Sequence, residues 1–422
     1  MRTGSRRTHS ASPPCSTLCP PRLRPYSIDG TPSMTFRDSS LLASIFLTGM
    51  STALFNPLQS SFFVRELGAS PGFVGVYMAL SIGCAMLTSH WVGARSDDGR
   101  PRQRLIRLSA LAGMLAFLAF ATLRDKVWLA LASLSLVSLT SIAAPQLFAL
   151  AASRSSGNSA GMLGSMRAMV SLAWVIGPPL SFGIAAALGY QAAFALLIAI
   201  YGLIWLASYR LPASDKPQAA PAAAAIDDKP GKAMWLVAAG IGVLYVAINN
   251  YIIQMPLHLA LQPHAPAWLP GVLFGLTAAI EIPLMMLSGK ISRRWPPEKQ
   301  LLAAAMLGAG YYIVFVMVDA WQLILLLQWL PAACIALSAT AGLQLCQQLA
   351  RERLGYASTL YSNAISAGMA LGALLGGGIA AIWGYRASLA LCSVACALAC
   401  LLFLWLRWER TRTAGALAAQ LK

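Results

Sequence analysis

Apolar residues run through this chain in unbroken stretches of about twenty, long enough as helices to cross roughly 30 Å of hydrocarbon. The runs recur over nearly its whole length. They lack strand-like alternation, so a β-barrel is excluded and helices are expected. The pattern predicts twelve spans: Leu41–Val64, Phe73–Val92, Leu105–Leu123, Val127–Ala152, Met162–Leu188, Gln191–Tyr209, Met234–Ile253, Leu269–Leu287, Leu301–Val318, Trp321–Leu349, Ala357–Trp383 and Ala387–Leu406. A Pro/Ala-rich polar stretch separates the first six from the last six. The expected fold is an all-α integral membrane protein of twelve transmembrane helices in two pseudo-symmetric six-helix halves, residues 38–210 and 234–406. A loose linker over 211–233 joins the halves, a basic tail over 1–37 precedes them, and a second tail over 407–422 follows.

A repeat supports the division. Gly183-Ile-Ala-Ala and Gly189-Tyr190-x-Ala-x-x-Ala-Leu196 return 195 residues later as Gly378-Ile-Ala-Ala and Gly384-Tyr385-x-Ala-x-x-Ala-Leu391. Each copy is an apolar segment, a Gly-Tyr turn and a second apolar segment. The repeating object is therefore a membrane hairpin, and one half is written twice.

Composition agrees: 58% of residues are hydrophobic and 11% charged, with mean hydropathy +0.64, as in a polytopic membrane protein. The net charge of +17 raises the question of nucleic acid, and its placement answers it. Odd-numbered connections hold four Lys or Arg, whereas even-numbered ones hold sixteen and the tails hold more. Cytoplasmic loops retain basic residues, so the even connections and both termini are expected in the cytoplasm, with no nucleic-acid partner implied. Residues 1–37 are rich in Arg, Ser and Pro and lack the apolar centre of a signal peptide. They read as disordered, or as lying ahead of a true start at Met34.

The eight cysteines show no metal-site spacing with histidine. Cys392, Cys396 and Cys400 read as small apolar packing residues. No nucleophile–base pair, metal cluster or phosphate loop is present, so neither enzyme activity, ATP-driven pumping nor a cofactor is expected.

Chemistry inside the membrane rests on few residues. Arg167 in span 5 and Glu281 in span 8 are the two charges set deep in spans, and each should face protein or water because a charge facing lipid costs at least about 2.5 kcal/mol. Arg167 lies near a span end, from which it can also snorkel to the interface. Glu281 has no basic neighbour on its own helix and is the expected proton-coupling group. Neutral amides at Asn56, Gln59, Gln146, Asn249, Asn250, Gln347 and Asn363 can read sugar hydroxyls as donors and acceptors, although each alone also serves as helix-packing glue. Trp174, two turns after Arg167, is a candidate platform for a pyranose ring. Gly177-Pro178-Pro179, Pro57, Pro256 and Pro283 are expected helix breaks. Gly93, Asp97 and Arg100 in loop 2–3 resemble the loop signature of the major facilitator superfamily, although Asp98 stands where that signature prefers a basic residue.

A narrower resemblance follows from Pro145-Gln146-Leu-Phe-Ala-Leu-Ala151, Met166-Arg167-Ala, Leu172-Ala-Trp174-Val-Ile-Gly177-Pro178-Pro179-Leu180, Tyr251-Ile-Ile-x-Met255-Pro256-Leu257, Glu281-Ile-Pro283, Thr359-Leu-x-x-Asn363-x-Ile-Ser366 and the Arg65-Glu66-x-Gly68-Ala69 turn. Together these closely resemble the bacterial sugar efflux transporter family of that superfamily, from about Leu41 to Leu406. The resemblance implies a monomer in the bacterial inner membrane that exports small sugars or glycosides, with protons as the exchanged partner. It carries over Gln146, Arg167, Trp174, Glu281, Gln347 and Asn363 as functional positions. Gln254 stands where related members can carry an acid. The alternative is a multidrug or amphipathic-metabolite exporter, favoured by sixteen methionines and many aromatics.

Overall fold

The computed structural model describes residues 36–96, 102–152, 159–211, 231–350 and 353–420. Residues 1–35 of the expected N-terminal tail, nearly all of the linker, and Asp97 and Arg100 lie outside the described residues. Every element described is an α-helix: α1 Phe36–Arg65, α2 Pro71–Ser96, α3 Arg102–Thr122, α4 Lys126–Thr140, α5 Ala143–Ala152, α6 Ser159–Leu188, α7 Tyr190–Ser208, α8 Lys232–Leu259, α9 Leu269–Arg294, α10 Pro297–Met317, α11 Trp321–Leu326, α12 Trp329–Leu349 and α13 Leu354–Gln420. Among the described residues eleven helical stretches are long and apolar enough to cross a membrane. The last, Gly355–Arg412, bends at Gly384, where φ 80° and ψ 171° are not helical. Its two arms each exceed a span's length, and counting them separately gives the twelve expected. Gly189 has nearly the same backbone, φ 85° and ψ 167°, between α6 and α7. That region of φ/ψ space admits essentially glycine alone, which is why the Gly-Tyr turn recurs in both copies.

The helix breaks differ from expectation. α6 runs uninterrupted through Gly177, Pro178 and Pro179, and Pro57, Pro256 and Pro283 also lie inside continuous helices. Spans 4 and 10 are the ones divided, at Ser141–Ile142 and Leu327–Gln328. Each division lies three to four residues before a proline, Pro145 or Pro331, whose missing N–H leaves the preceding turn without its helical bond. Local side chains bond to backbone carbonyls at each division. Thr140 and Ser141 donate to the Val137 and Ser138 carbonyls at 2.6 and 2.7 Å, and the Gln328 Nε2 donates to the Ile324 carbonyl at 3.0 Å. Such back-bonding bends helices. Gly177 serves packing instead: a Cβ there would come within 2.6 Å of the Ala53 Cβ on α1.

Buried apolar residues fall into two clusters. One draws mainly on residues 41–211, the other mainly on 234–406. The repeat extends to their helix crossings. Gly49 on α1 meets Val170 and Ala173 of α6, and Gly242 on α8 meets Ala364 and Gly368 of α13, with Ala173 and Gly368 at the 195-residue offset. Contacts between the clusters are paired likewise. A Cβ on Gly75 (α2) would lie 2.5 Å from the Ala373 carbonyl (α13), and one on Gly271 (α9) 2.5 Å from the Pro178 carbonyl (α6). Both approaches sit toward the sparsely charged odd connections. Nearer the basic connections on the same helices, Leu87, Trp91 and Met286 are exposed. The halves thus close on each other at the sparsely charged face.

Candidate functional site

A cavity of about 410 Å³ lies where the two halves meet. α1 supplies Thr48, Ser51, Thr52, Phe55, Asn56 and Gln59; α6 adds Trp174; and α8 adds Tyr245, Ile248, Asn249, Ile252 and Ile253. The first half contributes most of the wall, including Met78 and Ser81 of α2, Phe117 of α3 and Tyr201 of α7, while Met369 closes it from α13. The polar groups of α1 fall at 48, 51, 52, 56 and 59, one stripe at helical spacing.

Those groups are oriented by their neighbours. Gln59 is buried, accepts a long bond from the Tyr77 hydroxyl at 3.5 Å and donates to the Asn56 carbonyl at 3.3 Å. Ser133 donates to Tyr77 at 3.0 Å, and Ser51 donates to Tyr201 at 3.1 Å. Asn249 spends its amide N–H on the Met369 carbonyl at 2.7 Å, which leaves its oxygen for another partner. On the second half the Tyr361 hydroxyl donates to the Ala339 carbonyl at 3.1 Å and accepts from Tyr245. The arrangement provides amides and hydroxyls on an otherwise apolar surface. It can hold a neutral hydroxylated molecule without burying a charge.

The sequence matches the model of the Major Facilitator Superfamily over residues 41–321 and 301–421. It is 34% identical over 365 residues to sugar efflux transporter B of Salmonella typhimurium, covering 84% of this chain and 92% of that one. Sugar efflux transporter A of Escherichia coli is 33% identical over 351 residues, with 81% and 89% covered. This chain belongs to the sugar efflux transporter family of the Major Facilitator Superfamily. It is a multi-pass membrane transporter, not an enzyme. Among solved structures it is similar in fold to the nucleoside transporter NupG, with TM-score 0.77, 10% identity and 88% and 99% of the two chains covered. The peptide transporter POT gives TM-score 0.73 at 13% identity, over 89% and 94%.

Within this family member the expected site residues separate. Asn56, Gln59, Trp174 and Asn249 line the cavity together. Gln146, Arg167, Gln347 and Asn363 do not line it. Gln146 is buried in α5, the Gln347 Nε2 lies 3.5 Å from the Ser358 hydroxyl, and Arg167 and Asn363 are exposed on α6 and α13. Asn250 is fully buried against α13, donating to the Ser388 carbonyl at 2.6 Å and accepting from its hydroxyl at 3.2 Å. It is packing glue, one helical step of about 100° away from the cavity face on which Asn249 sits. Glu281 is half-buried and does not line the cavity, lies in electrostatic range of Tyr245, and makes no ion pair among the described residues. Gly93 lies in the last turns of α2. Sequence reading missed Thr48, Ser51, Tyr77, Tyr201 and Tyr245, although the stripe on α1 carried a signal for the first two.

Proposed function

We propose that this protein exports small sugars or glycosides from the cytoplasm by alternating access, with protons moving inward in exchange. In this reading it is a monomer in the bacterial inner membrane, with its basic face and both termini in the cytoplasm. The observation that carries the proposal is one cavity where Asn56, Gln59 and Asn249 meet Trp174. Amides accept from and donate to hydroxyls, and an indole face packs against the apolar face of a sugar ring.

The halves rock about this cavity. The Gly75–Ala373 and Gly271–Pro178 approaches are the closure that must part for release. Glu281 takes the proton. Its charge is felt at Tyr245 on the cavity wall, so gaining or losing the proton biases the cavity between its two facings. Arg167, on the same helix as Trp174, serves at the cytoplasmic end of the path.

The test is transport in proteoliposomes under an imposed pH gradient. Gradient-driven movement of a labelled β-galactoside that collapses with a protonophore is the expected result. A second reading, export of amphipathic metabolites or drugs, draws on the apolar wall of Phe55, Met78, Ile82, Phe117, Ile252 and Met369. Proton flux evoked by drugs but not by sugar would favour it and overturn the sugar assignment.

A further inference from the structure

A second cavity, of about 350 Å³, opens at the sparsely charged face. Ser61, Arg65 and Glu66 at the end of α1 line it with Phe182 of α6, Gly189 and Tyr190 at the next turn, and Pro256, Leu259, Pro266 and Pro270 from the second half. It is within the common range for ligand pockets, about 300–1,000 Å³.

Arg65 and Glu66 belong to the Arg-Glu-x-Gly-Ala turn. Two members of that motif have backbone reasons. Gly68 takes φ +59°, and Ala69 is buried and donates its N–H to the Phe63 carbonyl at 2.9 Å. Arg65 and Glu66 have no such reason; both are exposed and both border the pocket. Nor does the fold require them. At the 195-residue offset the second half repeats the turn tyrosine as Tyr385 but places Ala260 and Leu261 where the first half has Arg65 and Glu66.

The pocket is also ordered. Arg65 donates to the Tyr190 hydroxyl, and the Tyr190 ring is held edge-on to Phe62 at 5.5 Å between centroids. It lies in line with the central cavity. On α1, Gln59 lines the inner cavity and Ser61 the outer one; on α8, Ile253 lines the inner and Pro256 the outer. Leu58, Phe62 and Met255, all at most 1% exposed, occupy the same stretches of those helices.

We propose that the Arg65–Glu66–Tyr190 pocket is a second carbohydrate site, which holds a neutral mono- or disaccharide after it has passed the Leu58–Phe62–Met255 layer. This rests on the transport reading above. A guanidinium donates to ring and hydroxyl oxygens, and a carboxylate accepts from hydroxyls. Side by side their charges cancel, so the pair selects hydroxyl pattern rather than net charge. Because both halves wall the pocket, rocking reshapes it and releases the solute.

The test is equilibrium dialysis of a radiolabelled β-galactoside against the purified full-length protein. Two molecules per chain are expected. Arg65→Gln or Glu66→Gln lowers this to one, and Asn56→Leu with Trp174→Ala also lowers it to one by removing the inner site. The surviving site in each variant reports that the protein is folded. One molecule per chain in the wild type, unaffected by Arg65→Gln and lost with Asn56→Leu, overturns the outer site and leaves the transport reading standing. One molecule lost with Arg65→Gln but kept by Asn56→Leu with Trp174→Ala overturns the inner assignment and supports the outer site. Loss of all binding in Arg65→Gln and Glu66→Gln alike also overturns the proposal, since these residues then hold the fold.

Discussion

The two halves share a backbone plan but not a core chemistry. In the first, Phe55, Phe62, Phe63, Phe117, Phe120 and Phe194 pack mostly edge to face, with Phe62 and Phe194 4.8 Å apart and Phe55 and Phe117 4.9 Å apart. In the second, at the 195-residue offset, Tyr312 stands for Phe117 and Phe315 for Phe120. Beside them runs a buried chain of hydrogen bonds. Tyr251 and Tyr311 share a bond of 2.7 Å, Gln328 donates to Tyr311 at 2.8 Å, and Thr277 donates to Gln328 at 2.7 Å. Dispersion contacts accept many small rearrangements, whereas a buried polar chain tolerates few because any unpaired member is costly. The adaptable half supplies most of the cavity wall. The directional half carries Glu281, and its polar chain anchors α9 at Thr277, one turn before that carboxyl group and on the same face. Most of the cavity wall and the membrane-embedded carboxylate are thus divided between two copies of one fold.

The sharpest way to break this division is to neutralise its charge. Glu281→Gln should abolish uphill export while downhill exchange of sugar continues, measured in proteoliposomes with and without a pH gradient. Undiminished uphill export would falsify the coupling role. Next come the two cores. Phe120→Ala and its counterpart Phe315→Ala should each cost about 3–5 kcal/mol, read as thermal unfolding in detergent, because both rings are buried. A clear inequality between them would show that the polar chain, not the rings, holds the second half. Gln328→Leu should cost about 1–3 kcal/mol by stranding partners in Tyr311 and Thr277. The first half's own polar chain, Ser133 to Tyr77 to Gln59, ends in the cavity wall and includes none of the phenyl rings. The smallest effect separates the amides. Asn56→Leu should raise the sugar KM about tenfold, or about 1.4 kcal/mol, with stability little changed. Asn250→Leu should do the reverse, lowering stability with KM unmoved.

Asn249 and Asn250 show where sequence reading stops. Both stood as sugar contacts on equal terms, yet one faces the cavity and its neighbour fastens α8 to α13. Adjacent residues on a helix point about 100° apart, and only the packed neighbours decide which direction is the solute's. The prolines teach the same lesson. Pro178 sits within an unbroken α6, while Pro145 and Pro331 follow real divisions at which nearby hydroxyl and amide side chains donate to the Val137, Ser138 and Ile324 carbonyls. A missing N–H is visible in the sequence; the side-chain bonds near it are not.

The spans, the hairpin repeat and the Gly189 and Gly384 turns were determined by the sequence alone. Bilayer thickness sets the length of an apolar helix, and a backbone with φ near +80° admits only glycine. The tertiary structure decided the rest: which amides share a cavity, which pack helices, and that Arg65, Glu66 and Tyr190 meet across a turn. Those outcomes depend on helix rotation and on contacts between residues far apart in the chain, which neither hydrophobic period nor motif spacing encodes.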